Sequence, residues 1–214
     1  MPTRREFLLS ILSTPLAAAF VQHPLEPPGA ELEIIPEPHC LSEESANGFR
    51  LLLNRNKLPS RPLSKVVIIP GARQLSCETA FALRRQVSAG AWLILESGLA
   101  FMPRHEATGQ IRVLRDVFGL EVQAPLANRG AYIEYTWPLR RLVRDFSMVT
   151  PLKCSRAETI AEIQGVAVCA KRPVGKGSGI IFLGSMLGPG LLAEEREAHE
   201  IGSAMLREIV NGGL

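Results

Sequence analysis

Apolar and polar positions along this chain fall into blocks of two distinct periods. The strongest block is Lys65-Val66-Val67-Ile68-Ile69, a continuous β-branched run of the kind buried on both faces of a parallel sheet. Pro70-Gly71 breaks it. Ser76 then stands as an N-cap three residues before Thr79. Phe81, Leu83 and Val87, with neighbouring alanines, make a helical stripe that closes at Gly90. Trp92-Leu93-Ile94-Leu95 is a second buried strand. Two such strands joined by a helix of this length predict a right-handed βαβ unit.

The pattern extends in both directions. Leu32-Glu33-Ile34-Ile35 alternates as a first strand. Ser42, Glu43, Glu44 and Ser45 open an acidic helix start, with Phe49, Leu52 and Leu53 as its stripe, ending before Pro59. Thr108 is expected to cap a helix carrying Ile111, Leu114 and Val117-Phe118, stopped by Gly119. From Glu121 to Thr150 the pattern is strand-like but irregular. Ile160 to Ala170 and Gly179 to Leu183 read as strands flanking the turn Val174-Gly175-Lys176-Gly177-Ser178. Leu191 to Val210, with Leu192, Ala198, Ile201, Met205 and Ile209 on one stripe, predicts a terminal amphipathic helix. No repeat of solenoid spacing is present.

The first thirty residues follow a different logic. Thr3-Arg4-Arg5-Glu6-Phe7-Leu8-Leu9 and the apolar stretch to Ala19 look like a twin-arginine export signal. That stretch is about 13 residues and is interrupted at Pro15, too short for a stable membrane span. Ala17-Ala18-Ala19 offers the small-x-small pattern that a signal peptidase reads, so the mature chain is expected to begin near Phe20. The expected organisation is a signal peptide over 1–19, an extended linker over 20–30 and one α/β domain over 31–214. The expected destination is periplasmic or otherwise extracytoplasmic, with membrane contact only during export.

Composition narrows the function classes. With 46% hydrophobic residues the mature chain can bury a full core. A formal net charge of +3 is too balanced for a nucleic-acid partner, and Arg140, Arg141 and Arg144 fit one solvated face. Cys40, Cys77, Cys154 and Cys169 permit two disulfides in three pairings, and none of their spacings is that of a zinc site. A twin-arginine substrate folds in the reducing cytosol, so its fold should not depend on disulfides. No metal and no cofactor is expected.

Three stretches carry a family resemblance. They are Pro62-Leu63-Ser64-Lys65 through Pro70-Gly71 with Leu75-Ser76 and the following helix; Val87-Ser88-Ala89-Gly90-Ala91-Trp92-Leu93-Ile94; and Val174-Gly175-Lys176-Gly177 with Ile181-Phe182-Leu183-Gly184-Ser185. Over roughly residues 31 to 211 the chain resembles the class I glutamine amidotransferase-like fold. It resembles more closely the non-catalytic version that serves as the trimerisation domain of some β-galactosidases. The resemblance implies an α/β, flavodoxin-like/amidotransferase-like, mostly parallel sheet flanked by helices, with a late β-hairpin and a C-terminal helix. It also implies ligand binding or assembly: a homo-oligomer or a partner-enzyme subunit, with a small-molecule or carbohydrate ligand and a link to carbohydrate processing. These motifs are structural, so they bear on fold more than on function.

Active members of that fold place a Cys at a sharp strand-to-helix elbow, with a His and a Glu later in the chain. The equivalent stretch here, Leu95-Glu96-Ser97-Gly98-Leu99, contains no Cys. A Ser97 nucleophile would put Leu95 and Leu99 where an elbow needs small residues. His199 and Glu200 are adjacent on a helix and point about 100° apart, which does not suit a dyad. Cys77 lies in the first turn of a helix, where unpaired N–H groups and the dipole favour a thiolate. A flavodoxin-like strand order would bring the loops carrying His39-Cys40 and Cys77 together at the carboxyl edge. Two readings stand: a hydrolase with Cys77 as nucleophile and His39 as base, or Cys40 and Cys77 as buried residues or a disulfide.

A ligand is expected at the carboxyl edge, near Gly71, Ala72, Arg73, Cys77, Glu96, Ser97 and Ser185. Arg73 would pair anions and Glu96 would serve as acid or hydroxyl acceptor. Gly175-Lys176-Gly177-Ser178 is followed by a strand, which makes it a hairpin turn and not a phosphate loop. Tyr132, Tyr135 and Trp137 could offer a sugar-stacking platform. On a strand, however, Tyr135 and Trp137 share a face with Ile133, the face that reads as core, while Tyr132 and Glu134 share the other.

Overall fold

The two continuous apolar runs become adjacent parallel strands buried along their whole length, β2 (Val66–Ala72) and β3 (Trp92–Ser97). Between them runs α2 (Cys77–Ser88), capped by the Ser76 hydroxyl, which accepts from the Thr79 N–H at 3.0 Å. The structure, a computed structural model, describes residues 32–34, 43–56, 65–127, 132–144 and 148–211. The signal and linker expected over 1–30 lie outside these, as do His39 and Cys40.

The remaining elements are β1 (Leu32–Ile34), α1 (Glu43–Arg55), α3 (Arg104–Phe118), β4 (Glu121–Val122), β5 (Leu126–Ala127), β6 (Tyr132–Tyr135) and β7 (Arg141–Arg144). They continue with β8 (Met148–Val149), β9 (Leu152–Lys153), β10 (Glu158–Ile163), β11 (Val166–Gly175), β12 (Ser178–Leu183), α4 (Leu187–Leu192) and α5 (Arg196–Val210). One eight-stranded sheet runs in the order β1-β2-β3-β12-β11-β10-β6-β7, and β4-β9 and β5-β8 form two small ribbons. The pairs β1-β2, β2-β3 and β3-β12 are parallel, and every pair from β12 to β7 is antiparallel. The α/β class expected from the sequence is the one observed, but the sheet is mixed and not mostly parallel, because the late strands return as consecutive hairpins on the β12 side.

Strand alternation divides the core in two. Val66, Ile68, Trp92, Ile94, Ile181 and Leu183 face α1, α4 and α5, while Val67, Ile69, Leu93, Leu95, Ile180 and Phe182 face α2 and α3. Each large apolar side chain buried in this way contributes about 1.5–3 kcal/mol. Gly179 stands opposite Trp92 in the register of β12 and β3, and its missing side chain leaves the space that the indole ring fills.

Four boundaries differ from the sequence expectation. β2 continues through Pro70 and Gly71 to Ala72. The register shifts between Ile69 and Ala72, and Gly71 takes φ +56°, so the proline sits at a bulge where no ladder N–H is required. α3 begins at Arg104, after Pro103, and Thr108 instead lies within it, its hydroxyl donating to the Arg104 carbonyl. The segment Ile160 to Ala170 is a hairpin. Gln164 and Gly165 both have positive φ and join Ile163 to Val166 in a two-residue turn. The terminal helix is two helices, α4 and α5, separated where Glu194 adopts φ +59°.

Candidate functional site at the carboxyl edge

The ends of the parallel strands bring together residues far apart in sequence. Glu96, the penultimate residue of β3, is fully buried. Its Oε2 accepts from the Ser45 hydroxyl, in the first turn of α1, and from the Gly71 N–H at 2.8 Å. Its Oε1 accepts from the Gly188 N–H of α4 at 2.7 Å, and the Leu187 N–H adds to this set. Burial pushes the Glu96 carboxyl above its ordinary value, against the lowering effect of the Gly188, Ser45, Gly71 and Leu187 donors.

Glycine makes this convergence possible. Gly71 turns its N–H inward by taking positive φ. At Gly98 a Cβ would run into the Gly71 carbonyl, while the Gly98 N–H donates to the Ala72 carbonyl at 2.8 Å. β2, β3, α1 and α4 are thereby tied through one carboxylate. Chemically this is a filled acceptor, with its oxygens occupied by groups of the chain itself.

A second buried polar group draws on the antiparallel half of the sheet, from β6 and β11 and the segment after β12. The Tyr135 hydroxyl is 3.5 Å from the Ser185 hydroxyl, and the Cys169 thiol donates to the Tyr135 oxygen at 3.7 Å. Burial raises both the Tyr135 phenol, far above its usual range, and the Cys169 thiol. Ser97 is buried too, its hydroxyl donating to Thr150 Oγ1 at 3.0 Å and accepting from the Leu99 N–H. The ring of His199 is engaged elsewhere, with Nε2 2.8 Å from the Leu191 carbonyl, and Glu200 is held by Arg141 and Arg196.

Of the residues singled out from the sequence, Gly71 and Glu96 are in direct contact, and Ser97 and Ser185 are buried beside other partners. Arg73 is half-buried in the loop after β2, and Cys77 is an exposed free thiol at the first position of α2. Tyr135 is wholly buried, and Trp137 packs against the core with the Lys171 ammonium 4.6 Å from its ring centre. Tyr132 is 58% exposed. Among the described residues, no group of three His, Cys, Asp or Glu side chains is placed to hold a metal ion.

Open space at this edge lies between the start of α2 and the neighbouring α3. A cavity of about 480 Å³ there is lined by Gln74, Leu75, Ser76, Glu106, Gln110 and Val113. Glu106 and Gln110 were not among the residues the sequence pattern selected. A signal for Gln110 was nevertheless present, because it shares the helical stripe of Ala107, Leu114 and Val117, where an apolar residue is the rule.

No protein-family model and no curated protein matches this sequence. Solved structures do match the fold. One is an exo-β-1,4-mannosidase from an Opitutaceae bacterium, 14% identical over 85% of this chain and 36% of that one, with a TM-score of 0.58. Another is an α-L-fucosidase isoenzyme from Paenibacillus thiaminolyticus, 9% identical over 84% of this chain and 33% of that one, TM-score 0.59. A third is a GH42 β-galactosidase from G. stearothermophilus, 16% identical over 81% of this chain and 30% of that one, TM-score 0.53. This chain spans about a third of the length of each. Its fold is therefore one that glycoside hydrolases carry as part of a longer polypeptide.

Proposed function

We propose that this chain is an exported, non-catalytic amidotransferase-like domain that acts in ligand binding or protein assembly, linked to carbohydrate processing. The observation that carries this reading is Glu96. Active amidotransferase-like enzymes present a nucleophile at this strand end. Here the equivalent stretch offers Ser97, which is buried, preceded by the Glu96 carboxylate with Ser45, Gly71 and Gly188 all donating to its oxygens. The serine beside it is buried against Thr150, and among the described residues no histidine is one of its hydrogen-bond partners. The carbohydrate link is supported by the glycosidases that share the fold and by the likeness to a β-galactosidase trimerisation domain. Export is supported by Arg4-Arg5 and the apolar stretch that follows.

The mature chain should show no turnover of nitrophenyl glycosides or esters, and it should sediment as an oligomer or co-sediment with a glycosidase. The competing reading is a hydrolase using Cys77, favoured by the exposure of that thiol at the start of α2. Turnover that disappears in Cys77→Ala would replace the binding reading with that one. Export has its own test. A reporter fused behind residues 1–30 should leave the cytoplasm, and Arg4→Lys with Arg5→Lys should hold it there.

A further inference from the structure

We propose that the hollow between the C-terminal half of α3 and the β4–β9 ribbon is a binding site for a sugar that carries a carboxylate, a uronate. The inference deepens the binding reading above and takes from it only the idea that this chain has a ligand. The class of ligand comes from the lining.

The hollow has a volume of about 450 Å³, within the range of small-molecule sites. It lies away from Glu96, where α3 ends and Arg172, opposite Ile180 near the start of β12, reaches the last turn of that helix. Its walls come from Ile111 and Arg115 of α3, Glu121 and Val122 of β4, Lys153 of β9, and Arg156.

The charge of this lining is unbalanced. Arg115, Lys153 and Arg156 stand against the single carboxylate of Glu121. Further cations crowd the rim, since Arg172 lies against Gly119, itself part of the lining, and Arg84 approaches from α2. Those two have a structural task, because they donate to the Phe118 and Val117 carbonyls at the end of α3. Lys153 and Arg156 have none. Neither side chain has a hydrogen-bond or ion-pair partner among the described residues, although Lys153 stands opposite Glu121 in the ribbon register. The Glu121 carboxylate instead accepts from the Ser155 hydroxyl at 2.6 Å. Burial first, and then the charges of Arg84 and Arg156, push the Arg172 guanidinium below its ordinary value. The chain thus gathers like charges around one hollow without supplying the carboxylates to match them, and an anion seated there is attracted by all of them.

The rest of the lining says which anion. Arg156, and the terminal nitrogens of Arg115 whose Nε is held by Asp116 at 2.8 Å, present the forked N–H donors that match a carboxylate or phosphate. Ile111 and Val122 form an apolar wall, which an inorganic anion leaves unused and the C–H face of a sugar ring covers. Gln123 and the second Glu121 oxygen add groups for hydroxyls. A neutral sugar gives the cations nothing, and a simple carboxylate gives the amide nothing. Carboxylate, hydroxyls and a C–H face together describe a uronate.

The test is a titration of the mature chain at fixed ionic strength, followed through the methyl signals of Ile111 and Val122. The ligands are galacturonate, glucuronate, galactose, acetate and inorganic phosphate. Saturable shifts are expected with at least one uronate, at least about tenfold tighter than with acetate or phosphate, and none with galactose. Arg156→Gln and Lys153→Gln should each weaken uronate binding about tenfold, the loss of one charge-assisted contact. The urea midpoint of both should be unchanged, since neither side chain has a partner in the fold. Arg144→Gln removes an equally exposed arginine from β7 and should leave binding as it was. Absence of saturable shifts with both uronates, galactose binding as tightly, or acetate or phosphate binding as tightly (an adventitious ion only) would each overturn the proposal. So would uronate binding that survives both hollow variants or falls equally in Arg144→Gln. If no uronate binds while the chain still sediments as an oligomer or with a glycosidase, this site falls and the assembly reading stands.

Discussion

Gly48 of α1 and Gly188 of α4 meet backbone to backbone. A Cβ at Gly48 would collide with the Gly188 carbonyl, and one at Gly188 would collide with Ser45. This closeness holds the Ser45 hydroxyl and the Gly188 N–H within reach of the same carboxylate. Gly48→Ala must therefore push the helices apart and loosen two of the donors to Glu96. A loss of about 1–3 kcal/mol is expected, as for other overpacked sites, and urea unfolding would measure it. An unchanged midpoint would mean that α1 and α4 can separate at no cost.

The Glu96 carboxyl predicts a pH dependence of definite sign. Its folded value is raised above the ordinary 4.5 by burial, so the folded chain holds this proton more tightly than the unfolded chain. The associated stability is fully present below the unfolded value and is lost as pH rises through the folded one. Relative to Glu96→Gln, the unaltered protein should lose stability with increasing pH across that window. Urea midpoints of both proteins between pH 4 and 8 decide it. A relative gain with rising pH would show that the donors outweigh the burial.

The three described thiols should separate cleanly by reactivity. Cys77 is exposed, Cys154 half-buried and Cys169 fully buried, the last with its thiol raised by burial. Native alkylation read by intact mass and peptide mapping should modify Cys77 first and Cys169 only after unfolding. Equal rates at Cys77 and Cys169 would contradict the packing around Tyr135.

The C-terminus of α3 offers a fourth test. Gly119 has φ +64°, and the Arg172 guanidinium that donates to the Phe118 carbonyl fills the space where a Cβ would stand. Gly119→Ala combines an unfavourable backbone conformation with a displaced cap, and about 1–2 kcal/mol should be lost. Thermal unfolding of this variant beside Arg172→Ala would show whether the two effects share one cause.

Much of this architecture was legible in local pattern. The runs at Val66 and Trp92 have no polar face, so they can only be interior strands, and Ser76 with Thr79 marks a helix start by its own chemistry. The turn at Gln164-Gly165 was present in the sequence as well, but apolar residues on both sides concealed it as one long strand. The environment of Glu96 could not be read in this way. Its donors Ser45 and Gly188 stand 51 and 92 residues away, and only the close passage of two glycines brings them to one point. An isolated carboxylate after a buried strand therefore read as a free acid or acceptor. Gln110 was missed for a different reason, since one polar residue on an apolar stripe resembles a tolerated substitution until its neighbours are known.

The sheet ends at β7, which has a partner only on its β6 side among the described residues. An open strand edge is a template for growth, and this one is bounded by Arg141 and Arg144. Were two copies to pair there about a central two-fold axis, each Arg141 would stand opposite the other copy's Arg144. Like charges facing one another would weigh against pairing in that register. In that register, the charges on the edge strand disfavour a sheet continued across two copies of β7.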